Sequence, residues 1–409
     1  MKIKAALATT AAFISASALS AADLEVTHWW TSGGEAVAVS EFAKAVNEKT
    51  AHNWVDGAIA GSGGTARPII ISRILGGDPM AATQLNHGRQ AEELIEAGLM
   101  TDLTDLAEAE GWKDFVYPSS LLEGCTYEGR IYCVPVNIHS TQWLWLSHDA
   151  FEQAGIEVPK DWFEFVAAAP KLEEAGLVPM AQGQQGWQQA IAFGALSISV
   201  VGIDTWSKVV VEKDADVAGG PEYAKVFQAS ANARELARNS NVQDWNLATN
   251  MVITGKAGGQ IMGDWAQGEF AVAGQVAGED YTCLPGLGLN QVIDTGGDAF
   301  YFPVVDDPDV KAAQLEMASI LISKEAQVAF NLAKGSLPVR GDIDLSTAND
   351  CMQKGLAILA AGGVLPNADQ TLSADTQTQI KDLMAEFWAS DMTAEDAQAR
   401  YASIIASAD

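Results

Sequence analysis

Tryptophans, carboxylates and neutral amides recur together at loop positions along this 409-residue chain. Trp29 and Trp30 precede the pair Gly33-Gly34 and then Glu35. Ser62 stands in "AGSGG" among exposed backbone amides. Gln84, Asn86 and His87 fall in "QLNHGRQ", and Asn137, His139 and Trp143 in "VNIHSTQW". "GQQGWQQ" offers Gln184, Gln185, Trp187 and Gln188, and "QDWNL" offers Trp245. Asp264 and Trp265 lie in "MGDWAQGEF", Asp298 in "DTGGDAF" and Lys334 in "LAKGSLPVR". The mixture suits a pyranose, which has apolar C–H faces and a rim of hydroxyls. Indole covers the faces. Carboxylates accept from hydroxyls, while Asn, Gln and Lys donate back.

Each of these residues also has a plainer use. Trp54, Trp112, Trp162, Trp206 and Trp388 fall in patterns that read as packing. Trp143 and Trp145 alternate in a strand, so at least one belongs to a core. Asp264 could cap the helix that follows it, Asp298 could be a turn residue, and Lys334 could be a cation at a helix C-terminus. Successive side chains of a strand point to opposite faces, so Trp29 and Trp30 are expected to differ in role. Trp30, nearer the glycine turn, is expected to face a cleft with Glu35 beside it, and Trp29 to pack inward.

The elements that must hold these residues alternate. "LEVTHWW", "WVDGAIAG" and "MAATQLN" read as strands by their apolar pattern. They are interleaved with helical stretches at "AVAVSEFAKAVNEKT", "TARPIIISRILGG" and "RQAEELIEAGL". In the second stretch, Thr65 and Pro68 predict the helix start. The rhythm restarts at "TQWLWLS" and continues to a tail that is almost all helical. This predicts an α/β protein of two lobes, each a mostly parallel sheet flanked by helices, with a close hinge. Ligands of such sheets bind outside the carboxyl ends of the strands, where the residues above fall.

Residues 1–22 read as an export signal. Lys2 and Lys4 precede an uncharged apolar run, and small residues at Ser20, Ala21 and Ala22 offer cleavage sites. No later apolar run approaches the roughly 18 residues of a spanning helix. With its 53 acidic and 24 basic residues the chain has a formal net charge of −29; loss of the two signal lysines makes it −31. Such acidity disfavours nucleic acid and anionic membrane surfaces. The four cysteines allow three pairings. The Glu128-Gly129 turn signal favours Cys125 with Cys133 across a hairpin, which leaves Cys283 for Cys351. Neither a metal-ligand motif nor a cofactor motif is present.

The stretches "VTHWWTSGGE", "AGSGGTARPIIISRILGGDPMAATQLNHG", "CTYEGRIYCVPVNIHS", "MGDWAQGEF", "GGDAFYFP" and "KGSLPVR" resemble the periplasmic sugar-binding proteins of ABC importers. These belong to the extracellular solute-binding family that includes maltose-binding protein, and the resemblance is nearest to its glucose/mannose-binding branch. It implies a clamshell of lobes 23–133 with 299–343 and 134–298 with 344–409. It further implies a monomer that captures a monosaccharide in the periplasm, without cofactor, and delivers it to a membrane ABC permease. By the same resemblance Trp30 and Trp29 edge or stack on the sugar, and Glu35 accepts from its hydroxyls. Gln84, with Asn86 or His87, reaches from the first lobe. Trp245 and Trp265 cover the sugar from the second, and Asp298 and Lys334 hold its rim near the hinge. The chain departs from the family at Asp369, where histidine is frequent, and at Asn86-His87, where lysine or histidine is.

Two other functions use similar residues. A glycosidase needs two carboxyl groups about 5 to 9.5 Å apart, which Glu35, Asp264 and Asp298 could supply. A binder of quaternary amines such as betaine needs an aromatic cage. The surplus of amides and lysine favours hydroxyl ligands.

Overall fold

The structure is a computed structural model that describes residues 21–408. Residues 1–20, most of the expected export signal, lie outside that range. Nine strands build two sheets: β1 Asp23–His28, β2 Asn53–Ala58, β3 Ala82–Asn86, β4 Cys133–Pro135, β5 Trp143–Ser147, β6 Val178–Met180, β7 Ala257–Met262, β8 Tyr281–Pro285 and β9 Asp298–Tyr301. The first sheet has the order β2-β1-β3-β9-β4 and the second β8-β5-β7-β6. Leu24 and Val26 of β1 are fully buried, as its alternating pattern requires.

Each sheet contains one reversed strand. In the first, β9 runs antiparallel to both β3 and β4. In the second, β5 runs antiparallel to both β8 and β7, while β6 and β7 are parallel. Reversal places the first residue of the odd strand beside the last residues of its neighbours. Asp298 therefore pairs with Asn86, and Trp143 with Met262. The amino ends of β9 and β5 thus join the carboxyl ends of the other strands, at the edge where ligands of α/β sheets sit.

The chain passes between the sheets over 136–142 and 286–297. A third segment, around Leu337, runs alongside. The backbone N–H groups of Val136, Ile138 and His139 donate to the carbonyls of Asp298 (3.0 Å), Leu337 (2.7 Å) and Gly296 (2.8 Å). The passages therefore hydrogen-bond to one another, so the sheets are joined by a narrow ribbon and not by a loose linker.

Six helices matter for the site: α1 Gly33–Lys49, α2 Ser62–Leu75, α3 Gly186–Val210, α4 Trp245–Ile253, α5 Ala266–Val272 and α6 Lys324–Lys334. α2 begins at Ser62, three residues before the expected start, so Pro68 falls inside it. There proline removes the N–H that would bond the carbonyl of Gly64. α3 is the one helix among the described residues with the length and apolarity of a membrane span, contrary to the expectation that no such run exists. It is broken at Gly202 and packs on the helices Pro221–Leu236 and Ala374–Ala389, as a core helix does.

Both expected disulfides are present. Cys125 joins Cys133 across the hairpin strands Thr126–Tyr127 and Arg130–Ile131. Cys283 on β8 joins Cys351 in the helix Asp350–Ala360, over 68 residues of chain.

Candidate functional site

A continuous run of buried polar groups crosses the junction of the two sheets. The backbone N–H of Trp29 donates to Gln84 Oε1 at 2.9 Å, and Gln84 Nε2 donates to Asp298 Oδ1 at 2.7 Å. Asn137 Nδ2 donates to Asp298 Oδ2 at 2.9 Å. His139 Nε2 lies 2.7 Å from the same oxygen, and its Nδ1 lies 2.8 Å from Asp264 Oδ1. The other Asp264 oxygen accepts from the backbone N–H of Ser140 at 3.0 Å. Gln84 and Asn137 are fully buried, and Asp264 and Asp298 nearly so. Buried polar groups of this density require partners, and here each finds one along the chain of contacts.

The electrostatics follow from that geometry. Burial alone would lower the His139 pKa, but Asp298 and Asp264 outweigh it and raise the imidazole to about 9. His139 is therefore a cation at neutral pH. Burial would raise Asp298, yet His139 and Lys334 hold it well below the usual carboxylate range. Burial raises Asp264, against the pull of His139. Two carboxylates facing one imidazolium in low dielectric thus separate in acidity.

A second ion pair lies beside the first. Lys334 Nζ meets Glu35 Oε1 at 2.8 Å, with Lys334 fully enclosed and Glu35 nearly so. Ser32 Oγ donates to Glu35 Oε2 at 3.1 Å. Lys334 ends α6, where Gly335 takes the left-handed conformation at φ 85°. Its side chain turns to Glu35 and also lies 5.7 Å from the centre of the Trp30 ring. Asp264 does not cap α5, and no side chain does; its oxygens go to His139 and Ser140. Asp298 is not a turn residue but the first residue of β9.

The aromatic groups divide. Trp265 is half-buried and meets the His139 ring edge-on at 4.8 Å between centres. Trp187, half-buried, and Trp245, buried, each lie 6.5 Å from Trp265. The expectation for the adjacent pair is reversed. Trp30 is 2% exposed and packs on Phe300 and Phe330 inside the first lobe's core, so it is not the residue that faces the cleft. Trp29 is the half-buried one, and the Arg67 guanidinium covers its ring at 4.9 Å. The physical reason is strand register. Alternation carried two residues past His28 points Trp30, like His28, at the helices that cover the sheet. Trp143 and Trp145 are both buried.

The remaining candidates gather on the other side of Gln84. Asn86 Oδ1 accepts from Arg67 Nη2 at 3.0 Å, and Asn86 Nδ2 donates to Asp369 Oδ2 at 2.9 Å. His87 is fully buried, near Gln370 Nε2 at 3.4 Å, and burial pulls its pKa down to about 4. It is neutral at pH 7. Ser62 opens α2 with a left-handed φ of 61°, and no side-chain partner brings it to the polar run. Across the junction the backbones of Gly34 on α1 and Gly268 on α5 approach closely; a Cβ on Gly34 would lie 2.5 Å from the Gly268 carbonyl carbon. The Gly34 N–H donates to Glu269 Oε1 at 2.8 Å. Only glycine allows that approach.

Sequence reasoning named Asn137 and His139 only as loop candidates without a specific role, and did not single out Arg67 or Glu269. The signals for the first three were a histidine two residues after an asparagine in an extended passage, and an arginine one turn into a helix that follows a strand.

Two sheets joined by a hydrogen-bonded ribbon, with a polar and aromatic site at the junction, define a two-lobed periplasmic-binding-protein fold. Residues 30–327 match the model of the bacterial extracellular solute-binding protein family, and the chain belongs to that family. It is 37% identical over 362 residues to a "Probable sugar-binding periplasmic protein" of Rhizobium meliloti (strain 1021), covering 88% of this chain and 86% of that one. A protein of the same description from Brucella melitensis biotype 1 is 38% identical over 337 residues, covering 82% and 79%. Among solved structures, the bacterial solute receptor AcbH, reported with an exclusive preference for β-D-galactopyranose, superposes with a TM-score of 0.76 at 18% identity. The match covers 94% of this chain and 98% of that receptor. The chain, like these relatives, is a solute-binding protein and not an enzyme.

Proposed function

We propose that this protein captures a neutral monosaccharide, glucose or a related aldose, between its two lobes in the periplasm and delivers it to a membrane ABC permease. The observation that carries the reading is the polar run from Gln84 through Asp298 and His139 to Asp264, flanked by the half-buried Trp265. Its groups are donors and acceptors set beside an indole face, which is what the rim and face of a sugar need. The two relatives described as sugar-binding and periplasmic support it. The lobes on this reading are 23–133 with 299–343 and 134–298 with 344–409, working as a monomer. Contacts from both sides of the junction give a sugar its differential affinity for the closed form. The sugar-facing residues are Trp29, Glu35, Gln84, Asn86, Trp187, Trp245, Asp264, Trp265, Asp298, Lys334 and Asp369.

The test is titration of the purified exported protein with glucose, mannose, galactose, xylose, arabinose and betaine, followed by tryptophan fluorescence and calorimetry. Saturable binding of at least one aldose, with betaine inert, is expected. Betaine binding, or silence toward every sugar, defeats the reading.

A further inference from the structure

Arg67 is a half-buried cation that forms no ion pair among the described residues. It projects from the second turn of α2 and lies on the Trp29 ring. Its Nη2 is used by Asn86, but its Nε is enclosed and has no acceptor among the described residues. No carboxylate of those residues forms an ion pair with it; the nearby Asp369 is reached only through the Asn86 amide, which accepts from Arg67 and donates to Asp369. Asp369 takes a second, longer contact from Gln90 at 3.4 Å. A charged donor left short of acceptors in a low-dielectric place costs free energy. Here one amide holds a spare donor and an acceptor apart at the edge of an indole face.

A vicinal diol is the group that satisfies both at once. One hydroxyl oxygen accepts from Arg67, and the neighbouring hydroxyl donates to Asp369. The nearby Asp369 and Asp298 disfavour a carboxylate on the ligand at this point, so a neutral diol fits better than a sugar acid. We infer that Arg67 is a specificity-determining residue of the sugar site, and that Arg67 and Asp369 together read two adjacent hydroxyls of a sugar stacked near Trp29. This rests on the sugar-binding reading above. It adds a residue and a selection rule that neither the family match nor the relatives' names supply.

The experiment compares wild type, Arg67→Ala, Arg67→Lys and Asp369→Asn with the best-bound sugar, its monodeoxy analogues and the matching hexuronate, by calorimetry. Thermal melts of the unliganded variants check folding, and Arg67→Lys keeps the stem and charge over Trp29 should Arg67→Ala misfold. Arg67→Ala is expected to weaken the parent sugar roughly 10- to 100-fold, the size of a charged hydrogen bond. It should have little further effect on the one deoxy analogue that lacks the hydroxyl Arg67 reads. Asp369→Asn should couple in the same way to the adjacent position. Equal losses across all analogues, unchanged affinity in Arg67→Ala, or a wild type that prefers the hexuronate each overturns the inference while leaving sugar binding intact. A wild type that binds no sugar overturns the reading beneath it instead.

Discussion

The carboxylate of Asp264 stands 2.8 Å from Nδ1 of His139, while Asp298 takes the opposite ring nitrogen at 2.7 Å. One imidazole therefore ties the turn after β7 to the first residue of β9, across the junction of the two sheets. The histidine sits in the passage between them, so this charge relationship belongs to the hinge as much as to the site.

That arrangement predicts a pH dependence. His139 is raised to about 9 from its ordinary 6.5. Its stabilising contribution is complete below the unfolded value and is lost as pH rises through about 9. Asp294, pushed up to about 7 by burial, acts with the same sign in a lower window, between its unfolded value and about pH 7. Unfolding free energy should therefore fall between pH 6.5 and 9.5, by up to about 3 kcal/mol from His139 at about 1.4 kcal/mol per unit. His139→Gln should flatten the curve in that window. Denaturant melts at several pH values measure it, and a wild-type curve as flat as the variant's would refute the assignment.

The adjacent tryptophans should separate stability from binding. Trp30→Ala removes a core side chain packed on two phenylalanines and should cost about 3 to 5 kcal/mol of stability. Trp162→Ala, in the second lobe's core, should do the same. Trp29→Ala and Trp265→Ala should leave stability closer to wild type. Trp265→Ala should weaken sugar binding by about 1 to 3 kcal/mol, by analogy with stacking on nucleobases. Calorimetric titration and thermal melts on the four variants decide it; a Trp30→Ala protein that melts normally would contradict the packing.

Lys334 and Glu35 are buried together, so removing one partner strands the other. Lys334→Met should destabilise by about 3 to 5 kcal/mol. The double variant Lys334→Met with Glu35→Leu should recover much of that loss while binding sugar poorly. Chemical denaturation of both proteins provides the comparison, and a double variant no more stable than the single one would count against an energetically coupled pair.

The Cys283–Cys351 bridge closes 68 residues of chain. Replacing both cysteines by alanine should lower stability by up to about 4 kcal/mol on the chain-entropy account. The sugar affinity of the folded variant should change little, because the bridge lies outside the polar run. Unfolding curves with and without reductant would show whether the loss follows this bond.

Local sequence was enough to set the alternation of strands and helices, the hairpin disulfide and the clustering of Asp264, Trp265, Asp298 and Lys334 at element ends. Each of these depends on periodicity, turn chemistry or position within one segment, and such signals act over a few residues. Which way Trp29 and Trp30 face was not legible, because alternation gives opposite directions without saying which direction is inward. That choice belongs to Phe300 and Phe330, which come from β9 and α6 some 270 to 300 residues later. The roles of His139 and Arg67 were hidden for the same reason. His139 acquires its charge only when the reversed strand β9 brings Asp298 to it and the turn after β7 brings Asp264. The Arg67 Nε is enclosed without an acceptor only when the guanidinium is laid on Trp29 and bonded to Asn86. A titratable group takes its protonation state from neighbours within a few ångströms, and in this chain those neighbours are assembled by the pairing of distant strands.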